Sequence, residues 1–212
     1  MIHIERFTFN VFMVNTYILW DETKDALIID AACYEHFERQ AVIDFISDNS
    51  LKLVRNVNTH CHIDHVLGNN FIFKQFGIRP EYHSAGVPFF LTANEFALSF
   101  GFKPDEMPQP AGYLSEGTDV NFGNSGLKVL DTPGHADGSV CFYSPKDGFV
   151  ITGDVLFKDT IGRTDLPTGD FDLLMNSIKT RLFTLPGETV VYPGHGENTT
   201  IGYEMMNNPF VR

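Results

Sequence analysis

At 212 residues, 43% hydrophobic and 20% charged, the chain is long enough for one well-buried core and ordinary enough to be globular. Its 15 Lys and Arg against 27 Asp and Glu leave a net charge of −12, which argues against a general nucleic-acid or anionic-membrane binder. Three scattered cysteines, Cys33, Cys61 and Cys141, make neither a disulfide framework nor a Cys-x-x-Cys pair, so a reducing, cytoplasmic setting is expected.

The N-terminus Met1 to Phe7 has no basic leader followed by an apolar stretch, and no apolar run approaches the ~20 residues a membrane helix needs. No Pro-, Gly- or Ser-rich linker divides the chain, so one domain over residues 1–212 is expected. β-branched and apolar residues predict an N-terminal meander over 2–10, 11–20 and 26–30, broken by the turn residues 21–25. A helix follows over 35–47, where Phe37, Ala41, Val42, Phe45 and Ile46 share a face, then a buried strand over 53–58. Helices are expected near 69–76 and 85–100, and 101–117, with Pro104, Pro108 and Pro110, is the most irregular stretch. The second half repeats the order, with strands at 126–131, 139–143 and 149–152, a helix over 171–182 and a strand over 189–192. Two halves built this way suggest an α/β (α+β) chain folded as a four-layer αβ/βα sandwich, sheets face to face and helices outside.

The segment Asn58-Thr59-His60-Cys61-His62-Ile63-Asp64-His65 places three imidazoles and a carboxylate within six positions, just after a predicted buried strand. In an extended chain residues two apart share a face, so His60 and His62 can converge on one ion. A bend into the next helix aims Asp64 and His65 at a second. Three further sites stand at strand-to-loop transitions: Thr132-Pro133-Gly134-His135, Thr152-Gly153-Asp154 and Tyr192-Pro193-Gly194-His195. Imidazole and carboxylate donors without thiolate suit zinc first, and also iron or manganese.

Together these residues resemble the metallo-β-lactamase superfamily, whose His-x-His-x-Asp-His motif is His60 to His65 here. The resemblance covers nearly the whole chain and implies the αβ/βα sandwich with two divalent metal ions. It implies a first metal on His60, His62 and His135, a second on Asp64, His65 and His195, and Asp154 bridging both. Such a site lowers the pKa of a bridging water toward ~7, with Asp64 as the residue that orients the metal-bound hydroxide.

Gly153-Asp154-Val155-Leu156-Phe157, Ile161 to Pro167 and Tyr192 to Gly196 look like the short glyoxalase II-like proteins, which implies hydrolysis of an S-acylglutathione thioester, a small-molecule substrate. Two departures weaken the glutathione part: the chain ends at Arg212 without the C-terminal helical extension that supplies basic contacts, and Gly194-His195-Gly196-Glu197-Asn198 replaces Gly-His-Glu-Tyr-Thr. A carboxylate at 154, where β-lactamases of this fold generally carry cysteine, argues against antibiotic hydrolysis. His62-Ile63-Asp64 likewise departs from the His-x-Glu-x-Asp of flavodiiron proteins. The rival readings are a mononuclear iron persulfide dioxygenase, whose Thr-His-Cys-His-x-Asp-His and Gly-Arg-Thr-Asp segments this chain also resembles, and a lactonase. Monomer and homodimer both stay open.

Other residues carry two readings each. Asp30 either orients a ligand histidine from behind or is a solvated turn residue. Arg163 with Asp165 either anchors a substrate anion or braces its own loop. Lys158 reads as a surface charge, Cys61 as pointing away from the metals, and His3, His36 and His83 as ordinary histidines. The aromatics Phe89, Phe90, Phe96, Phe100 and Phe102 line a substrate pocket, cover a dimer contact or fill the core.

Overall fold

The computed structural model describes residues 1–211, so Arg212, the last residue of the expected domain, lies outside them. The first half runs β1 (His3–Phe9), β2 (Val14–Trp20), β3 (Asp25–Ile29), α1 (His36–Asp48), β4 (Lys52–Val57), α2 (Ile63–Val66), α3 (Asn69–Phe76), β5 (Pro80–His83), α4 (Val87–Ser99) and β6 (Gly112–Leu114). The second runs β7 (Asp119–Phe122), β8 (Ser125–Asp131), β9 (Val140–Ser144), β10 (Phe149–Gly153), β11 (Leu156–Phe157), β12 (Thr160–Ile161), α5 (Phe171–Ser177), β13 (Val190–Pro193), β14 (Thr199–Thr200) and α6 (Ile201–Asn207). Among the described residues the strands form two six-stranded sheets, ordered β1-β2-β3-β4-β5-β6 and β14-β13-β10-β9-β8-β7, and a small β11-β12 ribbon.

In the first sheet β1, β2 and β3 pair antiparallel and β3 to β6 pair parallel. Each parallel pair requires a crossover connection, and α1, α3 and α4 supply the three. The second sheet is antiparallel from β7 to β10, with β13 parallel to β10. Strand alternation then sorts the core into three slabs. Tyr17, Leu19, Leu27 and Ile29 meet Val129, Val140, Phe142 and Ile151 between the sheets. Ile18, Ile28 and Leu53 turn the other way onto Val42, Ile46 and Ile72 of the helices. Val150 and Val191 do the same toward Leu174, Ile178 and Ile201. The result is the expected four-layer αβ/βα sandwich. Among the described residues no helix is long and apolar enough to cross a membrane.

Several expected boundaries move, each for a local reason. The second strand starts at Val14 rather than 11, because Asn10 and Met13 adopt positive φ (53° and 58°) and make a turn closed by Met13 N donating to Asn10 O at 3.2 Å. The helix expected over 85–100 opens as a 3₁₀ turn at Ser84–Gly86 before α4. That expected over 171–182 is α-helical only to Ser177 and continues as π-helical residues Ile178–Leu182. The stretch 101–117, read as irregular, contains the edge strand β6. The strands β5, β7, β11, β12 and β14 and the helix α6 are additions to the expected elements, most of them too short to carry a period.

Phe142 is fully buried in the slab between the sheets. Phe142→Ala is expected to lower unfolding stability by about 3–5 kcal/mol through lost burial and the cavity left behind, read as a shift of the urea midpoint at unchanged slope.

Candidate metal centre

The seven residues singled out from the sequence converge on one rim of the sandwich, where loops leave the carboxyl ends of β4, β8, β10 and β13. Past β4 the chain runs through the buried Asn58, Thr59 and His60, bending at Thr59, and His62, in β conformation (φ −63°, ψ 147°), is the N-cap of α2. The helix then carries Asp64 and His65 round to a second face, as the bend read from the motif requires. Hydrogen bonds lace the loops together: Val140 N donates to Thr59 O at 2.8 Å, Gly194 N to Gly153 O at 2.8 Å and Asn15 N to Gly194 O at 2.7 Å. Two glycines are dictated by crowding. A side chain on Gly194 would collide with the Asp154 carboxylate and the His65 ring, and one on Gly134 (φ +125°) with the backbone of α5 at Leu174.

Three overlapping trios bring one donor atom per residue within 4.8 Å of one another: His60, His62 and His135; His60, His65 and Asp154; Asp64, His65 and His195. Asp154 touches members of both outer trios, with Oδ1 3.3 Å from His65 Nε2, and Oδ2 3.4 Å from His195 Nε2 and 3.7 Å from His135 Nε2. His62 Nδ1 stands 3.0 Å from His135 Nε2.

Which nitrogen faces inward is fixed from outside. Asp30, 1% exposed, accepts from Thr59 N and Thr59 Oγ1 at 2.7 Å and faces His65 Nδ1 at 3.0 Å. With its own proton committed to Asp30, the Thr59 hydroxyl accepts from His60 Nδ1 at 3.1 Å. His135 Nδ1 donates to the Arg163 carbonyl at 2.8 Å and His195 Nδ1 to the Met13 carbonyl at 3.2 Å. A carbonyl only accepts, so each of these rings presents Nε2 to the centre.

Asp30 is thus a buried acceptor behind His65, not a solvated turn residue. Arg163 reaches the site through its main chain, while its guanidinium forms a two-pronged pair with Asp165 at 2.7 Å, the loop-bracing reading. Lys158 pairs with Glu197 at 2.7 Å. Cys61 is buried in a small core with Val66, Tyr82 and Phe90. His3 stacks on Trp20, and His83 Nε2 lies 3.9 Å from Asp131 Oδ2. Sequence reasoning missed Thr59 and the Met13 and Arg163 carbonyls. Thr59 adjoins His60 in the motif and could have been flagged; a carbonyl carries no side-chain signal.

The donor set fits divalent cations. Buried His60 Nε2 has no hydrogen-bond partner, and His65 Nε2 and Asp154 Oδ1 approach to 3.3 Å without hydrogen-bond geometry, a costly state for buried polar atoms that a cation among them would relieve. Burial and its histidine neighbours push His60 well below the usual imidazole range, and burial beside His135 pushes His62 down to about 4. Both therefore present lone pairs at neutral pH. For His65 and His195 burial acts the same way but facing carboxylates outweigh it: Asp154, Asp64 and Asp30 hold His65 well above the usual range, and Asp154 and Asp64 push His195 up to about 9. Burial opposes ionisation of Asp64 and Asp154, yet the adjacent His65 and His195 keep both carboxyls low.

A sandwich carrying imidazoles and carboxylates on the loops at one rim of its two sheets defines a class of metal-dependent proteins. The chain belongs to the Metallo-beta-lactamase superfamily, whose family model matches residues 9–195. It is 34% identical to the hydroxyacylglutathione hydrolase GloC of Haemophilus influenzae over 99% of this chain and 98% of that protein. Among solved structures it is similar to the BLEG-1 B3 metallo-beta-lactamase (31% identity, TM-score 0.90, 99% of each chain). It is also similar to TTHA1623 in a di-iron-bound form (32% identity, TM-score 0.86, 97% of this chain and 99% of that one).

The raised His195 value gives a signed expectation. In the metal-free protein its pairing stabilises the fold fully below about pH 6.5, the ordinary imidazole value, and that contribution is lost as pH climbs through about 9. Metal has to displace the same proton. Affinity of the Asp64, His65 and His195 trio for zinc should therefore rise between pH 6.5 and 9 with proton release, measured calorimetrically in buffers of different ionisation enthalpy. Uptake independent of pH at both equivalents would contradict it.

Proposed function

We propose that the protein is a two-metal hydrolase acting on thioesters of the S-acylglutathione type. The observation that carries this reading is the pair of outer trios joined by Asp154, open on one side to a cleft of about 700 Å³ lined by His62, Asp64, His135, Asp154 and His195. Under this reading His60, His62 and His135 hold one divalent cation, Asp64, His65 and His195 hold another, and Asp154 serves both. Zinc is the first choice on donor chemistry, and the di-iron form of TTHA1623 keeps iron in view. When bound, such a pair supplies a water acidified to near neutral pH and a Lewis acid for the acyl carbonyl.

The chain's own groups do the rest. Asp64 Oδ2, 3.5 Å from His195 Nε2 and 3.7 Å from His65 Nε2, is a carboxylate oxygen at the cleft surface that can accept a hydrogen bond from the attacking water and orient its lone pair. The outward bonds of Asp30, Thr59, Met13 and Arg163 keep the rings from turning as charge develops. A thiol pKa near ~8.5 lets the thiolate depart without a general acid.

The match to GloC, a hydroxyacylglutathione hydrolase by name, spans 98% of that protein and 99% of this chain, which supports a hydroxyacylglutathione hydrolase activity. The similarity to BLEG-1 weighs against excluding β-lactams on Asp154 alone, and they belong in the same assay. The test is metal content of protein purified without added metal, followed by S-D-lactoylglutathione and nitrocefin turnover on that sample. Two equivalents with thioester turnover supports the proposal; a single iron with none, and oxygen uptake on a glutathione persulfide, would overturn it.

His62→Ala and Asp154→Asn are each expected to lower thioester kcat/KM by about 10³-fold or more, with far-UV circular dichroism and elution volume unchanged. Full activity in either purified variant contradicts the assignment of the site.

A further inference from the structure

The floor of the cleft is aromatic. The Phe89 ring meets His62 edge-on at 5.2 Å between centroids, and Phe157 meets His195 at 6.2 Å. Farther out, Phe96 of α4 and Phe100 just past its end are 51% and 58% exposed, and Phe12 packs edge-to-face on Phe100 at 5.4 Å; all three line the same cleft. Exposed aromatic rings gathered beside a ligand cluster, on a chain otherwise rich in acidic surface, mark an apolar binding surface.

The cations of the cleft lining are Lys158 and Arg163, and each is already engaged. Lys158 Nζ lies 2.7 Å from Glu197, and Arg163 holds both oxygens of Asp165. A substrate carboxylate arriving at either would displace one carboxylate with another, a replacement worth little at an exposed pair. Both pairs sit at the rim, with Lys158 43% and Arg163 61% exposed, where the thiol portion of a long thioester would reach. Phe89 and Phe157, in ring contact with His62 and His195, are the aromatics beside the donor cluster.

We infer that the cleft selects its thioester by an apolar acyl group of about phenyl size held among Phe12, Phe89, Phe96 and Phe100, and not by the charges of the thiol portion. This rests on the thioester reading above. Consequently an uncharged N-acetylcysteamine thioester is as good a substrate as the glutathione thioester of the same acid.

The experiment uses the metal-loaded full chain with acetyl and phenylacetyl thioesters of glutathione and of N-acetylcysteamine. Phenylacetyl should exceed acetyl in kcat/KM by about 10–50-fold on both thiols, the gain from burying a ring's apolar surface, and the two thiols should agree within about threefold. The Phe96→Ala, Phe100→Ala double variant should reduce the phenylacetyl-to-acetyl ratio at least about fivefold, whereas Leu91→Ala, on an exposed part of α4 outside the cleft lining, should leave the ratio as it is. Affinity supplies a readout without turnover: the inert thioether S-phenethyl-N-acetylcysteamine should bind about tenfold tighter than S-ethyl-N-acetylcysteamine. Turnover with no acyl preference, equal thioether affinities, or a tenfold advantage of glutathione would overturn this inference and leave thioester hydrolysis standing. No turnover of any thioester would overturn the thioester reading and this inference with it.

Discussion

Five imidazoles and two carboxylates packed against one another at a buried rim repel, desolvate one another and strand their lone pairs. The fold holds them there by spending the outer nitrogen of each of four rings on a fixed acceptor: Thr59 for His60, Asp30 for His65, the Arg163 carbonyl for His135 and the Met13 carbonyl for His195. That constraint decides much else. Asp30 has to be buried between β3 and the motif, so the strand ends at Ile29 and Asp30 itself takes φ 52°. Glycine has to stand at 194, since anything larger would occupy the space of the Asp154 carboxylate.

The same constraint explains the uneven protonation of the metal-free centre. On the side of His60 and His62 burial and the neighbouring imidazoles outweigh the pull of Asp64 and Asp154, and the rings stay neutral. On the side of His65 and His195 the neighbours are Asp64 and Asp154, and the rings stay charged despite burial. One half is a preformed set of lone pairs, the other a set of ion pairs that cations replace.

The layering, the paired halves and the His60 to His65 cluster were legible because each has a dense local signal: buried β-branched runs, a helix with a clear face, and four donor residues in six positions. The family resemblance joined His135, Asp154 and His195 to that cluster, and the order of strands within each sheet was not legible. The aromatic run was only half legible. In α4 Phe90, Ala93 and Ala97 are buried, while Phe89 and Phe96, with Phe100 just past the helix, line the cleft. Periodicity separates two faces of a helix but says nothing of which apolar face meets a cleft, because a phenyl ring has the same hydropathy in either place. Phe102, beyond the helix, turned out to fill the core with Leu67 and Ala97. Two-residue strands and main-chain acceptors left no trace, since the first have no period and the second no side chain.

The turn between β1 and β2 faces two ways. Its Phe12 ring forms part of the cleft wall, and the carbonyl of the next residue, Met13, is the acceptor that aims His195, while Asn15 Nδ2 holds the same loop through Pro193 O and Gly196 O at 3.0 Å. A displacement of Phe12 by an occupant of the cleft would act on the residue next to it, whose carbonyl is the His195 acceptor. On the two-metal thioester reading, occupancy of the cleft and affinity for a cation on Asp64, His65 and His195 would be linked functions, and any such linkage is reciprocal.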